Sequence, residues 1–213
     1  MQIAILLYDR FTALDAIGPY EVLSRLDGAE VIFAAERPGP VHTDTGMLTI
    51  TADAAIAELA HPDIVLVPGG PGQEAQLDGG LTHEWLRQAD AVTRWTTSVC
   101  TGSLILGAAG LLTGRRATSH WLALDRLAAF GAEPASERVV FDGKYVTAAG
   151  VSAGIDMALS LSERIAGTPA AQAIQLMIEY DPHPPLNAGS PAVAPPELVA
   201  AMRRRSRHTE PSR

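Results

Sequence analysis

Residues 96–112 read T-T-S-V-C-T-G-S-L-I-L-G-A-A-G-L-L and contain the only cysteine of the chain. Residues 96–99 are β-prone, whereas the residues from Ser103 onward are small and apolar at helical spacing. Cys100 therefore falls on the junction between a buried strand and a helix. Such a junction points the thiol at the unpaired N–H groups of the first helical turn, which favour an anion. We expect a lowered thiol pKa and a nucleophilic role for Cys100.

A structural role is the alternative for Cys100, because a single cysteine near a strand is often a small buried hydrophobic residue. The nucleophilic role needs a shift of about 2 pKa units, which would ionise most of the thiol at neutral pH. Gly102 leaves this turn without a crowding side chain, and the N–H of Thr101 is expected to face the reacting atom as in an oxyanion hole.

The rest of the chain alternates short apolar runs with amphipathic stretches, as in βα units around a mostly parallel sheet. The pattern predicts strands at 3–8, 30–35, 64–67 and 96–99, hairpins within 41–51 and 139–148, and helices at 19–26, 81–92, 120–130, 152–165 and 169–180. Pro19 is expected in the first turn of the first helix. The fold class is therefore α/β.

Two further segments follow strands at their carboxyl ends, where ligands of open parallel sheets bind. P-G-G-P-G follows the strand at 64–67, so Gly70 could supply a second N–H to the Cys100 site; Gly69 and Gly70 could equally be turn residues. Asp15 follows the first strand. Beside a thiolate its pKa would be raised, as a general acid requires, although a helix cap is the alternative.

Three more residues are candidates for the walls of a substrate pocket. His120 could reach the cleft, although a histidine near a helix start is often structural. Tyr180 and His183 lie in a proline-rich arm that could be a pocket rim or a dimer contact.

Composition excludes several classes of function. The net charge of −8 and the pI near 5.2 argue against a nucleic-acid surface. No apolar run is long enough to span a membrane and no signal peptide is recognisable, so we expect a cytoplasmic protein. The six histidines have no metal-ligand spacing, and we expect neither a metal nor another cofactor.

A length of 213 residues predicts a single domain. We place an α/β domain at 1–190 and a C-terminal arm with a basic tail at 191–213. Arginines occupy positions 203, 204, 205 and 207 of that tail, which we expect to be a partly helical or frayed solvated terminus.

These segments together resemble the DJ-1/PfpI superfamily, and most closely its isonitrile hydratase branch. The resemblance covers D-A-I-G-P-Y-E-V-L, V-P-G-G-P-G, the segment from V-C-T-G-S to A-T-S-H-W, V-T-A-A-G-V-S-A-G-I-D and E-Y-D-P-H-P-P-L-N-A-G. It implies a flavodoxin-like three-layer sandwich, a homodimer and a cysteine on a nucleophile elbow. Carried over by position, Cys100 is the nucleophile, Asp15 the acid, Thr101 a lining residue and Gly70 an amide donor.

The resemblance also implies an activity, namely hydration of an isonitrile to an N-substituted formamide through a thioimidate on Cys100. Thr101 stands where many peptidase-like members have histidine, which argues against a protease. Two alternatives stay open: action on a glyoxal-type carbonyl, and a small-molecule or redox sensor. Only about thirty residues follow Tyr180, so a regulator with a DNA-binding domain after this one is not expected.

Overall fold

The computed structural model describes residues 1–206. Its strands are β1 (Gln2–Leu6), β2 (Glu30–Ala35), β3 (Gly39–His42), β4 (Thr49–Ala52), β5 (Ala54–Ala55), β6 (Ile64–Val67), β7 (Trp95–Val99), β8 (Arg116–Ala117), β9 (Glu133–Pro134), β10 (Val139–Asp142) and β11 (Tyr145–Ala148). Its helices are α1 (Ala13–Leu23), α2 (Leu81–Asp90), α3 (Gly102–Ala108), α4 (Ala153–Ala166), α5 (Thr168–Met177) and α6 (Pro196–Arg205). Short 3₁₀ helices occupy Ile56–Glu58, Pro71–Gln76 and Leu124–Phe130.

A central sheet of seven strands has the order β10-β11-β7-β6-β1-β2-β5. β10 pairs antiparallel with β11, and the other neighbouring strands in this sheet are parallel. β6 is buried along its whole length and β1 from its second residue onward. Strands that are buried on both faces read as continuous apolar runs, which is why both were recognisable in the sequence. The predicted α/β fold with a mostly parallel sheet is confirmed.

Two groups of helices cover the sheet. α1 packs against α4, which also packs against α5, while α3 packs against α2 and against β6 and β7. The contact between α1 and α4 depends on small residues: a Cβ on Gly18 would lie 3.1 Å from Ile155 Cγ1, and one on Gly154 would lie 3.1 Å from Pro19 Cγ. This close approach fixes α1, and with it Asp15, relative to the end of β7.

The first helix begins earlier than the sequence indicated. α1 starts at Ala13, so Pro19 lies inside the helix rather than in its first turn. Proline costs a helix one backbone hydrogen bond, here to the carbonyl of Asp15. Pro19 is buried against α4, and this tertiary packing outweighs the local preference. The consequence is functional, because the early start places Asp15 on the helix.

The predicted hairpins are confirmed, since β3 pairs antiparallel with β4 and β10 with β11. The helix predicted at 120–130 is wrong in its first part: residues 124–130 form a 3₁₀ helix that ends at Gly131 in the left-handed conformation. The two long C-terminal helices are present as α4 and α5.

Residues 178–195 form neither helix nor strand, and α6 follows them. The division of the chain at residue 190 stays a prediction, and Arg207 lies outside the described residues. In the described part of the chain, no helix has the length and apolar character needed to cross a membrane.

Candidate active site

Cys100 lies between β7 and α3 in a strained backbone conformation. Its φ is 58°, in the left-handed region that residues other than glycine rarely adopt. Hydrogen bonds hold both sides of this residue. Its N–H donates to the carbonyls of Ala148 and Ala149, and its carbonyl accepts from the hydroxyls of Ser103 and Ser119. The turn therefore fixes the direction of the thiol.

Glycines let the loops after β6 and β7 meet backbone to backbone. A Cβ on Gly102 would lie 2.0 Å from the carbonyl oxygen of Val67, and one on Gly69 would lie 2.4 Å from the backbone nitrogen of Thr101. Neither distance is sterically allowed. The loop after β6 and the cysteine turn consequently form one packed unit.

Asp15 is fully buried on α1, next to this unit. Its Oδ2 accepts a hydrogen bond of 2.9 Å from the N–H of Gly69. Its Oδ1 is buried without a hydrogen-bond partner, and the carboxyl group interacts with the Cys100 thiol. The structure thus brings Asp15 and Cys100 together, and one carboxyl oxygen remains for a proton.

Burial dominates the acid–base properties of this pair. It raises the pKa of Asp15 to about 7, against the lowering effect of the Gly69 N–H. It also raises the pKa of the Cys100 thiol above its usual range, and the charge of Asp15 raises it further. The two groups are coupled, so above a pH of about 7 the pair holds one proton between them.

The sequence-based expectation of a lowered thiol pKa was therefore wrong. Backbone N–H groups do act on the sulfur in the expected direction, because those of Val151 and Thr101 lower its pKa. Their effect is smaller than the cost of removing a thiolate from water beside a carboxylate. A thiolate forms here when Asp15 holds the proton.

Thr101 and Gly70 are linked to each other at the edge of the site. The N–H of Gly70 donates a hydrogen bond of 3.0 Å to Thr101 Oγ1. The N–H that was expected to face the substrate therefore binds a side-chain hydroxyl in this structure. The backbone of Thr101 therefore adjoins the sulfur of Cys100, and its side chain contacts the loop after β6.

Val151 is a site residue that sequence reasoning missed. Its φ is 32°, a strained value for a β-branched residue, and its N–H adjoins the sulfur of Cys100. Because Val151 contributes a backbone group, its side chain carries no chemical signature. Its position in A-A-G-V-S-A-G, directly after the strand that neighbours β7, is the feature of the sequence that could have identified it.

A cavity of about 380 Å³ opens beside Cys100. Its lining includes Thr101, Gly70 and His120, together with Thr12, Pro71, Leu122 and Val151. The cavity has the size of a small-molecule site at the lower end of the usual range. Within the described part of the chain, no cluster of three His, Cys, Asp or Glu residues could hold a metal ion.

Tyr180 and His183 do not line this cavity. Tyr180 interacts with Asp156 and Arg138, and burial together with Asp156 raises its pKa. His183 is exposed, with Nδ1 3.7 Å from a carboxylate oxygen of Asp181. The structure therefore places both residues outside the site that contains Cys100.

The C-terminal segment reaches the cavity instead. Arg205, the last residue of α6, and Ser206 both line it. The basic tail had been expected to be a partly helical or frayed solvated terminus, and its residues 203–205 are helical and exposed. The sequence carried no periodic or motif signal that Arg205 and Ser206 would line the cavity of Cys100.

Comparison with known proteins identifies relatives of this chain. It is 42% identical over 206 residues to an isonitrile hydratase from Pseudomonas putida, which covers 97% of this chain and 90% of that protein. It is 31% identical over 150 residues to a deglycase from Pyrococcus abyssi, covering 69% of this chain and 89% of that protein.

A solved structure of a ThiJ/PfpI family protein from Pseudomonas syringae superposes with a TM-score of 0.93 at 42% identity, covering 95% of this chain and 84% of that chain. The DJ-1/PfpI family model matches residues 1–164, which include both Asp15 and Cys100. Because this match covers most of the chain, and the hydratase is 42% identical over 97% of it, this chain belongs to the DJ-1/PfpI family.

Proposed function

We propose that this protein is an isonitrile hydratase, which adds water to R–N≡C and releases the formamide R–NH–CHO. Cys100 is the nucleophile and Asp15 carries the proton. The observation that supports this most directly is the interaction of the buried Asp15 carboxyl group with the thiol of Cys100, which lines a cavity. The similarity to the Pseudomonas putida hydratase supports the choice of substrate.

The first step uses the proton that Asp15 and Cys100 share. The terminal carbon of an isonitrile can accept a nucleophile and a proton at the same atom. Sγ of Cys100 forms a bond to that carbon, and the shared proton moves to it from Asp15. The product is a thioimidate, R–N=CH–S–Cys100, and Asp15 is left as a carboxylate.

The second step consumes water. Asp15 takes a proton from a water molecule as its oxygen bonds to the thioimidate carbon, and then returns that proton to the nitrogen. The adduct R–NH–CH(OH)–S–Cys100 loses its hydroxyl proton to Asp15 while the C–S bond breaks. The formamide leaves, and the pair again holds one proton.

Backbone N–H groups would stabilise the charge on sulfur at both ends of this cycle. Those of Val151 and Thr101 already adjoin Sγ. Since they are fixed by the strained turns at Cys100 and Val151, they need not reorganise when the sulfur becomes anionic.

A second candidate is action on a reactive carbonyl through a hemithioacetal on Cys100. The similarity to the Pyrococcus abyssi deglycase favours it. Turnover of methylglyoxal, without turnover of an alkyl isonitrile, would select this alternative.

The direct test is incubation with cyclohexyl isocyanide and detection of the formamide by mass spectrometry. We expect product with the natural protein, and none above background with Cys100→Ala. The control is Asp53→Asn, which removes an exposed carboxylate outside the site and should leave turnover unchanged. Full activity of Cys100→Ala would refute the mechanism.

We also propose that the protein acts as a homodimer in the cytoplasm. The family resemblance supports the dimer, and the single cysteine suits a reducing compartment. Light scattering after size-exclusion chromatography would give the mass to compare with twice 22.4 kDa.

A further inference from the structure

Arg205 is a charged residue of the site that the proposed chemistry does not use. It lies at the end of α6 and lines the same cavity as Cys100. Among the described residues it has no ion-pair partner. Its guanidinium is therefore available to a molecule that enters the cavity.

The remaining lining gives Arg205 no internal partner. Hydroxyl groups come from Thr12, Thr101 and Ser206, and His120 is the other titratable side chain beside the thiol. Among the described residues no acidic side chain lines the cavity, and Asp15 is fully buried. The lining of the cavity therefore includes a positive charge, in a protein whose net charge is −8.

Helix α6 also contacts the chain outside the cavity. The guanidinium of Arg203 lies 5.7 Å from the centre of the Trp121 ring, and Trp121, Leu198 and Met202 line a second cavity of about 200 Å³. The favourable interaction of arginines with a helix C-terminus explains why basic residues end α6. It does not explain why Arg205 lines the cavity that contains Cys100, whereas Arg204 does not.

We propose that the substrates are short isonitriles bearing a carboxylate, which Arg205 binds while the isocyano carbon lies at Cys100 Sγ. Arginine binds carboxylates through two parallel hydrogen bonds, and this fixes the orientation of the ligand. A cavity of about 380 Å³ suits a small molecule that spans both groups. This inference rests on the proposed hydratase function.

The test compares 3-isocyanopropanoate with its methyl ester, which has the same isocyano group and no charge. With the natural protein we expect a higher kcat/KM for the carboxylate. Arg205→Gln should lower kcat/KM for the carboxylate by ~10-fold or more, mainly by raising KM. The kcat/KM for the ester should change little. Arg204→Gln is the matched control and should leave both values unchanged.

Several outcomes separate the two proposals. Hydration of both probes without a preference for the carboxylate, or an equal loss on both with Arg205→Gln, would overturn the role of Arg205 and leave the hydratase function standing. Hydration of neither probe, nor of cyclohexyl isocyanide, would overturn the function itself. A preference that falls as salt is raised, and that disappears in Arg205→Gln, would support the inference.

Discussion

The N–H of Gly69 donates a hydrogen bond to Oδ2 of Asp15, and this bond makes the two oxygens of the carboxyl group unequal. Oδ2 is occupied by the loop after β6, while Oδ1 is buried without a partner. A carboxyl held in this way keeps its orientation whether or not it carries a proton. It can therefore pass a proton to and from the Cys100 region without moving.

Replacing Asp15 by asparagine tests whether the carboxyl group accepts the Gly69 hydrogen bond and also carries a proton. Asparagine can still accept the hydrogen bond from Gly69, so the fold should be retained, but it cannot carry the proton. We expect the rate of isonitrile hydration to fall by ~100-fold or more. We also expect the pKa of the Cys100 thiol to fall, because the charge of Asp15 no longer raises it.

Formamide release measures the hydration rate, and a titration of thiolate absorbance in the ultraviolet measures the pKa of the Cys100 thiol. Asp53→Asn serves as the control for both. An unchanged thiol pKa in Asp15→Asn would show that the two side chains are not coupled, and would contradict the shared proton.

Stability should depend on pH because the pKa of Asp15 is raised on folding. In the unfolded chain the group ionises near pH 3.9, whereas in the folded protein its pKa is about 7. Between these values the unfolded state has lost the proton that the folded state keeps. The contribution of Asp15 to stability is therefore greatest below pH ~4 and falls as pH rises toward 7.

Chemical denaturation at several pH values would measure this contribution as the difference in unfolding free energy between the natural protein and Asp15→Asn. From pH 4 to 7 we expect the unfolding free energy of the natural protein to fall relative to that of Asp15→Asn. Above pH 7 the difference between the two proteins should stay constant. A difference that increases over this interval would mean that Asp15 is ionised in the folded state.

The sequence was sufficient to predict most of the sheet and the group around Cys100. β6 was predicted to the residue because a strand buried on both faces is a continuous apolar run between turn residues. Cys100, Asp15 and Gly70 could be placed together because the carboxyl ends of neighbouring parallel strands share an edge. Each of these predictions used local composition or a general property of sheets.

The parts that could not be predicted depend on burial or on distant contacts. The thiol pKa is set by desolvation and by the charge of Asp15, neither of which a linear sequence reports. Val151 acts through a backbone N–H, for which residue type is uninformative. Arg205 lines the same cavity as Cys100 although the two residues lie more than one hundred positions apart in sequence.

Gly69→Ala should disrupt the contact between the loop after β6 and the cysteine turn. The new Cβ would lie 2.4 Å from the nitrogen of Thr101 and 2.9 Å from Cys100 Cβ, so backbone atoms must move. We expect a loss of ~1–3 kcal/mol in unfolding free energy, together with most of the activity. Gly189→Ala is the matched control, because a Cβ there meets no atom within 4 Å. Equal stability of the two variants would show that the loops do not require this close approach.

Thr101→Val tests the link between Thr101 and Gly70. Valine has nearly the same shape as threonine but lacks the oxygen that accepts the hydrogen bond from Gly70, and it leaves that buried N–H unpaired. We expect a cost of ~1–3 kcal/mol, seen as a lower melting temperature. Thr101→Ser keeps the hydroxyl and should restore the part of this loss that comes from the hydrogen bond. If serine and valine destabilise the protein equally, the methyl group rather than the hydroxyl is what Thr101 contributes, and the Gly70 N–H would then be free to face the substrate.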